Sequence, residues 1–118
     1  MAKLVLALHS HPSDSLDHQT RSLLAFHYAQ AAVACGHQIL LIFCYQQAVR
    51  LADPTVHHPH ADQWQQWAAA QAIPLVVCTT VAEQDFGLST EQLRPGFAQG
   101  GLTEFAQAVA EADQLVQF

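Results

Sequence analysis

Three short apolar runs decide most of what this chain can become: residues 3–8 (KLVLAL), 39–45 (ILLIFCY) and 75–79 (LVVCT). Each has the length of a strand and is unbroken rather than alternating, the pattern of strands covered on both faces of a parallel sheet. None approaches the ~18 consecutive apolar residues that cross a bilayer. Helix-period segments separate them. The first starts near residues 15–17, where Ser15 and Asp17 favour a helix N-terminus; its apolar stripe reads Leu24, Tyr28, Ala31/Ala32 and Cys35, with Gly36 as the stop. The second opens with Asp62 and Gln65 as a capping box, lines up Trp64, Trp67, Ala68 and Ala72, and ends at Pro74. A third places Leu102, Phe105, Ala106, Val109 and Ala110 at helical spacing, ahead of a last strand at 113–118. Residues 46–52 read as a short helix before the His-rich loop 53–60, and 81–101 as turns with one short helix.

Strands alternating with helices of this length predict an α/β fold, a mainly parallel β-sheet flanked by helices. With no repeat, charge block or linker, residues 1–118 read as a single domain. Folding a chain of this length removes roughly two-thirds of the unfolded surface, enough for a core without staples. The balance of 51% hydrophobic against 12% charged residues excludes disorder. Four Lys+Arg against ten Asp+Glu leave a net charge of −6, and Lys3, Arg21, Arg50 and Arg94 are scattered. Direct nucleic-acid binding, which needs clustered cations, is therefore not expected. Lys3 leads into a strand-like run rather than a signal sequence, so a soluble cytoplasmic protein with no membrane association is expected.

In such a sheet the site lies beyond the carboxyl ends of the strands. Residues 9–14, 45–47 and 78–80 converge there, and Cys78 stands out among them. It ends an apolar strand, and Thr79-Thr80 after it can begin a helical turn. A thiolate placed there is stabilised by free backbone N–H groups and the helix dipole. The ordinary alternative is that a cysteine in a strand is a small buried hydrophobe. That alternative is the default for Cys44, inside an apolar strand, and for Cys35, on a helix stripe. Three cysteines without a CxxC pair give neither a disulfide framework nor a zinc ribbon. His9 and His11 are placed to neighbour Cys78 and help deprotonate it, or are plain loop residues. His57, His58 and His60 resemble a metal tract but share one Pro-rich loop with no Cys or Glu beside them, so no metal is expected. Trp64 and Trp67 read as core or interface anchors. GxGxxG, GxxxxGK[ST] and GxSxG are absent, leaving dinucleotide, triphosphate and serine-hydrolase chemistry without support. Gly100-Gly101 reads as a tight turn before a helix, with anion binding as the other use of such glycines.

The order of these features resembles the TusD branch of the DsrE/DsrF-like family. The likeness rests on Gly36-His37, on Phe43-Cys44-Tyr45 followed by Gln46-Gln47-Ala48-Val49 and Ala52, and on Trp64 and Trp67. Cys78, Phe97, Gly100-Gly101-Leu102 and the closing Val116-Gln117-Phe118 complete it, nearly end to end. The resemblance implies a three-layer DsrE/F-like fold and a sulfurtransferase that carries sulfane sulfur as a persulfide on Cys78, with no cofactor. It further implies homologous B-type and C-type subunits in a dimer of heterotrimers, and a downstream carrier protein with an acceptor cysteine. The implied destination is the 2-thio group of the tRNA wobble uridine. Two other roles compete: a DsrE-type carrier in dissimilatory sulfur oxidation, and a non-catalytic assembly subunit.

Overall fold

The computed structural model describes residues 1–11 and 16–118. Five strands form one sheet: β1 (Lys3–Leu8), β2 (Gln38–Cys44), β3 (Leu75–Cys78), β4 (Phe97–Gly100) and β5 (Gln114–Gln117). Four helices connect them: α1 (Leu16–Ala34), α2 (Ala61–Gln71), α3 (Thr79–Phe86) and α4 (Leu102–Glu111), with a 3₁₀ helix at Gln46–Ala52. The strand order is β4-β3-β2-β1-β5 and every pairing is parallel. The α/β fold expected from the unbroken apolar runs is therefore the fold observed.

The chain steps from β1 to β4 in one direction and then returns across the whole sheet to β5. Right-handed crossovers put α1, α2 and α3 on one face and α4 alone on the other. Aromatic contacts mark both layers. Phe26 of α1 meets Trp64 and Trp67 of α2 at 4.8 and 6.0 Å, while Phe43 of β2 meets Phe105 of α4 at 4.7 Å. The core runs along the strands: Val5, Leu6, Ile42, Cys44 and Val77 are fully buried, together with Trp64.

The helices expose more than their sequence pattern promised. On α1 the buried positions are Ser22, Ala25, Phe26, Ala29 and Ala32, whereas Leu24 is 54% exposed. Small side chains at 25, 29 and 32 let the helix backbone lie close against β1 and β2, which rotates the expected stripe and leaves Leu24 and Cys35 outside. The expected start at Ser15 lies outside the described residues. On α4 the packed residues are Phe105, Ala108 and Val109; Leu102, Ala106 and Ala110 face solvent. The capping box at Asp62 and Gln65 is not formed: His60 is the residue before α2, and Asp62 lies in its first turn. The segment read as turns holds strand β4, which pairs with β3 over its whole length. Among the described residues no helix is long and apolar enough to cross a membrane.

Candidate active site

Cys78 is the last residue of β3 and the residue from which α3 begins, with φ −62° and ψ 119°. An extended conformation directly before a helix leaves the first N–H groups of α3 without helical partners and gathers them around this position. The strand ladder pairs Cys78 with Gly100 at the end of β4. Because side chains alternate along a strand, Cys78 shares a face with Val76, and Val76 pairs with Phe43, which packs on α4. The thiol therefore lies under the α4 layer, 2% exposed.

Continuing the β1–β2–β3 register one residue past the last paired positions brings His9, Tyr45 and Cys78 into one row at the carboxyl edge. His9 and Tyr45 meet edge-on at 6.0 Å, so Tyr45 stands between the histidine and the cysteine. Sequence reasoning placed His9 beside Cys78 and did not see the tyrosine as its neighbour. The row closes at Gly100. A Cβ there would lie 2.6 Å from Val76 Cγ1 and 3.1 Å from Glu104 Oε2, so only glycine fits. The expected tight turn is corrected: Gly101 has φ −91°, ordinary extended backbone, and it is the Gly100 side-chain position that is closed. Glu104 accepts a hydrogen bond from the Gly101 N–H at the start of α4. A Glu three residues after a helix-start residue is a recognisable capping signal, and it was missed in the sequence.

The other candidates fall elsewhere. His11 is buried and meets His58 edge-on at 5.1 Å. His58 is also buried, and its Nδ1 accepts a hydrogen bond from the His60 N–H at 3.1 Å. Burial, reinforced by His11, His60, Arg94 and His57, pushes the His58 pKa down to about 3, so its imidazole is neutral. Among the described residues no group of three His, Cys, Asp or Glu side chains is arranged to hold a metal ion. Burial pushes the Cys44 thiol up to about 12, which makes it an inert core residue. Cys35 is exposed just past the end of α1, not packed in the core as expected. Trp64 is fully buried and Trp67 half-buried against α1.

A parallel sheet with a cysteine at its carboxyl edge, poised before a helix, defines a thiol-bearing α/β domain. Residues 12–118 match the DsrE/DsrF-like family, and the chain belongs to that family. The sulfurtransferase TusD of Yersinia pestis (strain Pestoides F) is 34% identical over a stretch covering 80% of this chain and 83% of that protein. The sulfurtransferase TusD of Yersinia pseudotuberculosis (serotype O:1b, strain IP 31758) shows the same identity and coverage. The crystal structure of the ychN protein from E. coli superposes with a TM-score of 0.76 and 25% identity, covering 100% of both chains. These likenesses place the chain in the TusD sulfurtransferase branch of the family.

Proposed function

We propose that this chain is a sulfur-relay sulfurtransferase that accepts sulfane sulfur on Cys78 and passes it to the cysteine of a downstream carrier. The observation that carries the reading is the position of Cys78 at the sheet's carboxyl edge, where α3 begins and Gly100 leaves the neighbouring position without a side chain. In the first step the Cys78 thiolate attacks the outer sulfur of a donor persulfide, R–S–SH. The donor S–S bond breaks, R–S⁻ leaves, and Cys78–S–SH forms. In the second step an acceptor thiolate attacks that outer sulfur and Cys78 departs as thiolate. Each step exchanges one S–S bond for another with no net redox change, and its rate follows thiolate fraction, leaving group and access. The N–H groups at the start of α3 favour the anionic sulfur both as attacker and as leaving group.

At 2% exposure the thiol is shielded, so exchange requires the side chains above it to move when a partner docks. That need fits a subunit working inside an assembly with homologous B-type and C-type chains as a dimer of heterotrimers, residues 1–118 forming one domain. With a net charge of −6, RNA is met by a later protein of the relay. The setting proposed is cytoplasmic, and the end product the 2-thiolated wobble uridine of tRNA. The same burial favours one second reading, a non-catalytic assembly subunit whose Cys78 is core. Replacing Cys78→Ser separates the two. In a reconstituted relay the variant assembles and transfers no sulfur if Cys78 is the carrier, and transfers normally if the cysteine is structural.

A further inference from the structure

One helix cannot cover the face of the sheet on which Cys78 lies. Strands spaced ~4.8 Å apart put the outer strands β4 and β5 ~19 Å from each other, whereas a helix with its side chains is ~10 Å across. The opposite face carries α1, α2 and α3; this one carries α4 alone. The middle of the face is sealed, with Val5, Ala7, Leu41 and Phe43 buried. The flank toward β4 is not. Ladder pairing sets Ala98 beside Val76, and Val76 beside Phe43, all on the α4 side. Val76 is half-buried and Ala98 exposed, and both stand two residues ahead of the Cys78–Gly100 pair. Leu102, which opens α4, is 58% exposed. An apolar shoulder thus runs along α4 and ends at Cys78.

The charge around this shoulder has one sign. Residues 97–118 hold Glu104, Glu111 and Asp113 and no Lys, Arg or His. Glu104 borders the shoulder, its Oε2 3.1 Å from where a Gly100 Cβ would sit. Arg94, just ahead of β4, is turned elsewhere, its Nη2 donating to the Val56 carbonyl. Lys3 shares the face but stands on β1 at the far, amino edge, where its N–H donates to the Asp113 carboxylate. We infer that the Val76–Ala98 shoulder is the docking surface for the downstream carrier, and that the carrier meets it with an apolar centre bordered by Lys or Arg. This rests on Cys78 being the residue that holds the sulfur. A permanent subunit on the shoulder would close off a thiol that is already 2% exposed, so the occupant is a protein that leaves again. Cations point to the acceptor side of the relay, because a chain this acidic leaves the contact with RNA phosphates to a later protein. Opposite charge around an apolar centre speeds such an encounter and selects the partner.

The test compares two side chains of similar bulk and opposite charge at one exposed position. Calorimetric titration measures the affinity of the full chain for the relay's downstream carrier, whose acceptor cysteine is replaced by serine so that binding is read without transfer. Ala98→Lys is expected to raise the Kd about tenfold, and Ala98→Glu by less than about threefold. Gln117→Lys, exposed on the β5 flank of the same face, is expected to leave the Kd unchanged. The unsubstituted pair should bind more weakly as salt is raised. If either variant at Ala98 melts early, Leu102→Lys against Leu102→Glu carries the same comparison. Equal losses from the two charges, no loss from either, or an equal loss from Gln117→Lys overturns the inference. So does the same charge dependence found for a persulfide-donating desulfurase and not for the carrier. The expected pattern with a carrier that receives no sulfur from Cys78 would keep the docking surface and discard the sulfur-relay reading.

Discussion

Cysteine chemistry in this chain is sorted by where each sulfur sits. Cys44 lies in the middle of the sheet with its pKa pushed up to about 12 by burial, Cys35 stands exposed beyond α1, and Cys78 occupies the point where strand becomes helix. Iodoacetamide applied to the native protein at about pH 8 should therefore label Cys35 quickly and Cys44 only after unfolding. Peptide mapping checks this, and rapid native labelling of Cys44 would contradict the assigned burial. Gly100 is equally specific to its place. A Gly100→Ala methyl would sit 2.6 Å from Val76 Cγ1, so the strand or the valine must shift. The expected loss is about 1–3 kcal/mol in a urea melt. Cys78 was legible in the sequence as an apolar strand running into Thr79-Thr80. The closed Gly100 position was not, because it gains its meaning from Val76 on the neighbouring strand, whereas the Glu104 cap on Gly101 was a local spacing that could have been read.

At the level of elements, the strands with unbroken apolar runs were the legible ones. β1 matches its expected span, and β2 is displaced by one residue. β4 left no comparable trace, since Phe97-Ala98-Gln99-Gly100 is short and mixed, and only its pairing with β3 makes it a strand. The stripe of α1 was misjudged because large leucines look like core, whereas the sheet accepts alanines, which permit closer approach. The ends of elements were partly readable. Gly36 follows α1 at φ +88°, as a helix stop should. α2 instead ends on Ala72 in the left-handed region, φ 55°, with the Ile73 N–H reaching back to Ala68 O at 2.9 Å. Glycine adopts that conformation without the Cβ penalty, so Ala72→Gly should raise stability by about 0.5–1 kcal/mol. A lowered thermal midpoint would mean that the alanine methyl contributes packing that outweighs the strain.

For the whole molecule, one sheet separates two unlike regions of the carboxyl edge: the Cys78 row under α4, and the buried His11–His58 pair. The second region should govern acid stability. His58 titrates near 6.5 when unfolded and near 3 when folded, so below about pH 6.5 the unfolded chain takes up a proton that the folded chain refuses. Stability contributed by the neutral imidazole is thus present above that pH and is lost as pH falls, by about 2 kcal/mol between pH 6.5 and 5. A His58→Gln protein should show a shallower decline across that window in urea melts, and parallel curves would assign the acid sensitivity elsewhere. In the other region, sulfur carriage by Cys78 is tested by peptide mass spectrometry after incubation with a persulfide-generating desulfurase. A gain of one sulfur atom on the Cys78 peptide is expected, reversed by reductant and absent from Cys78→Ser. No added sulfur on Cys78, with the proposed partner subunits present and the protein folded, would contradict it.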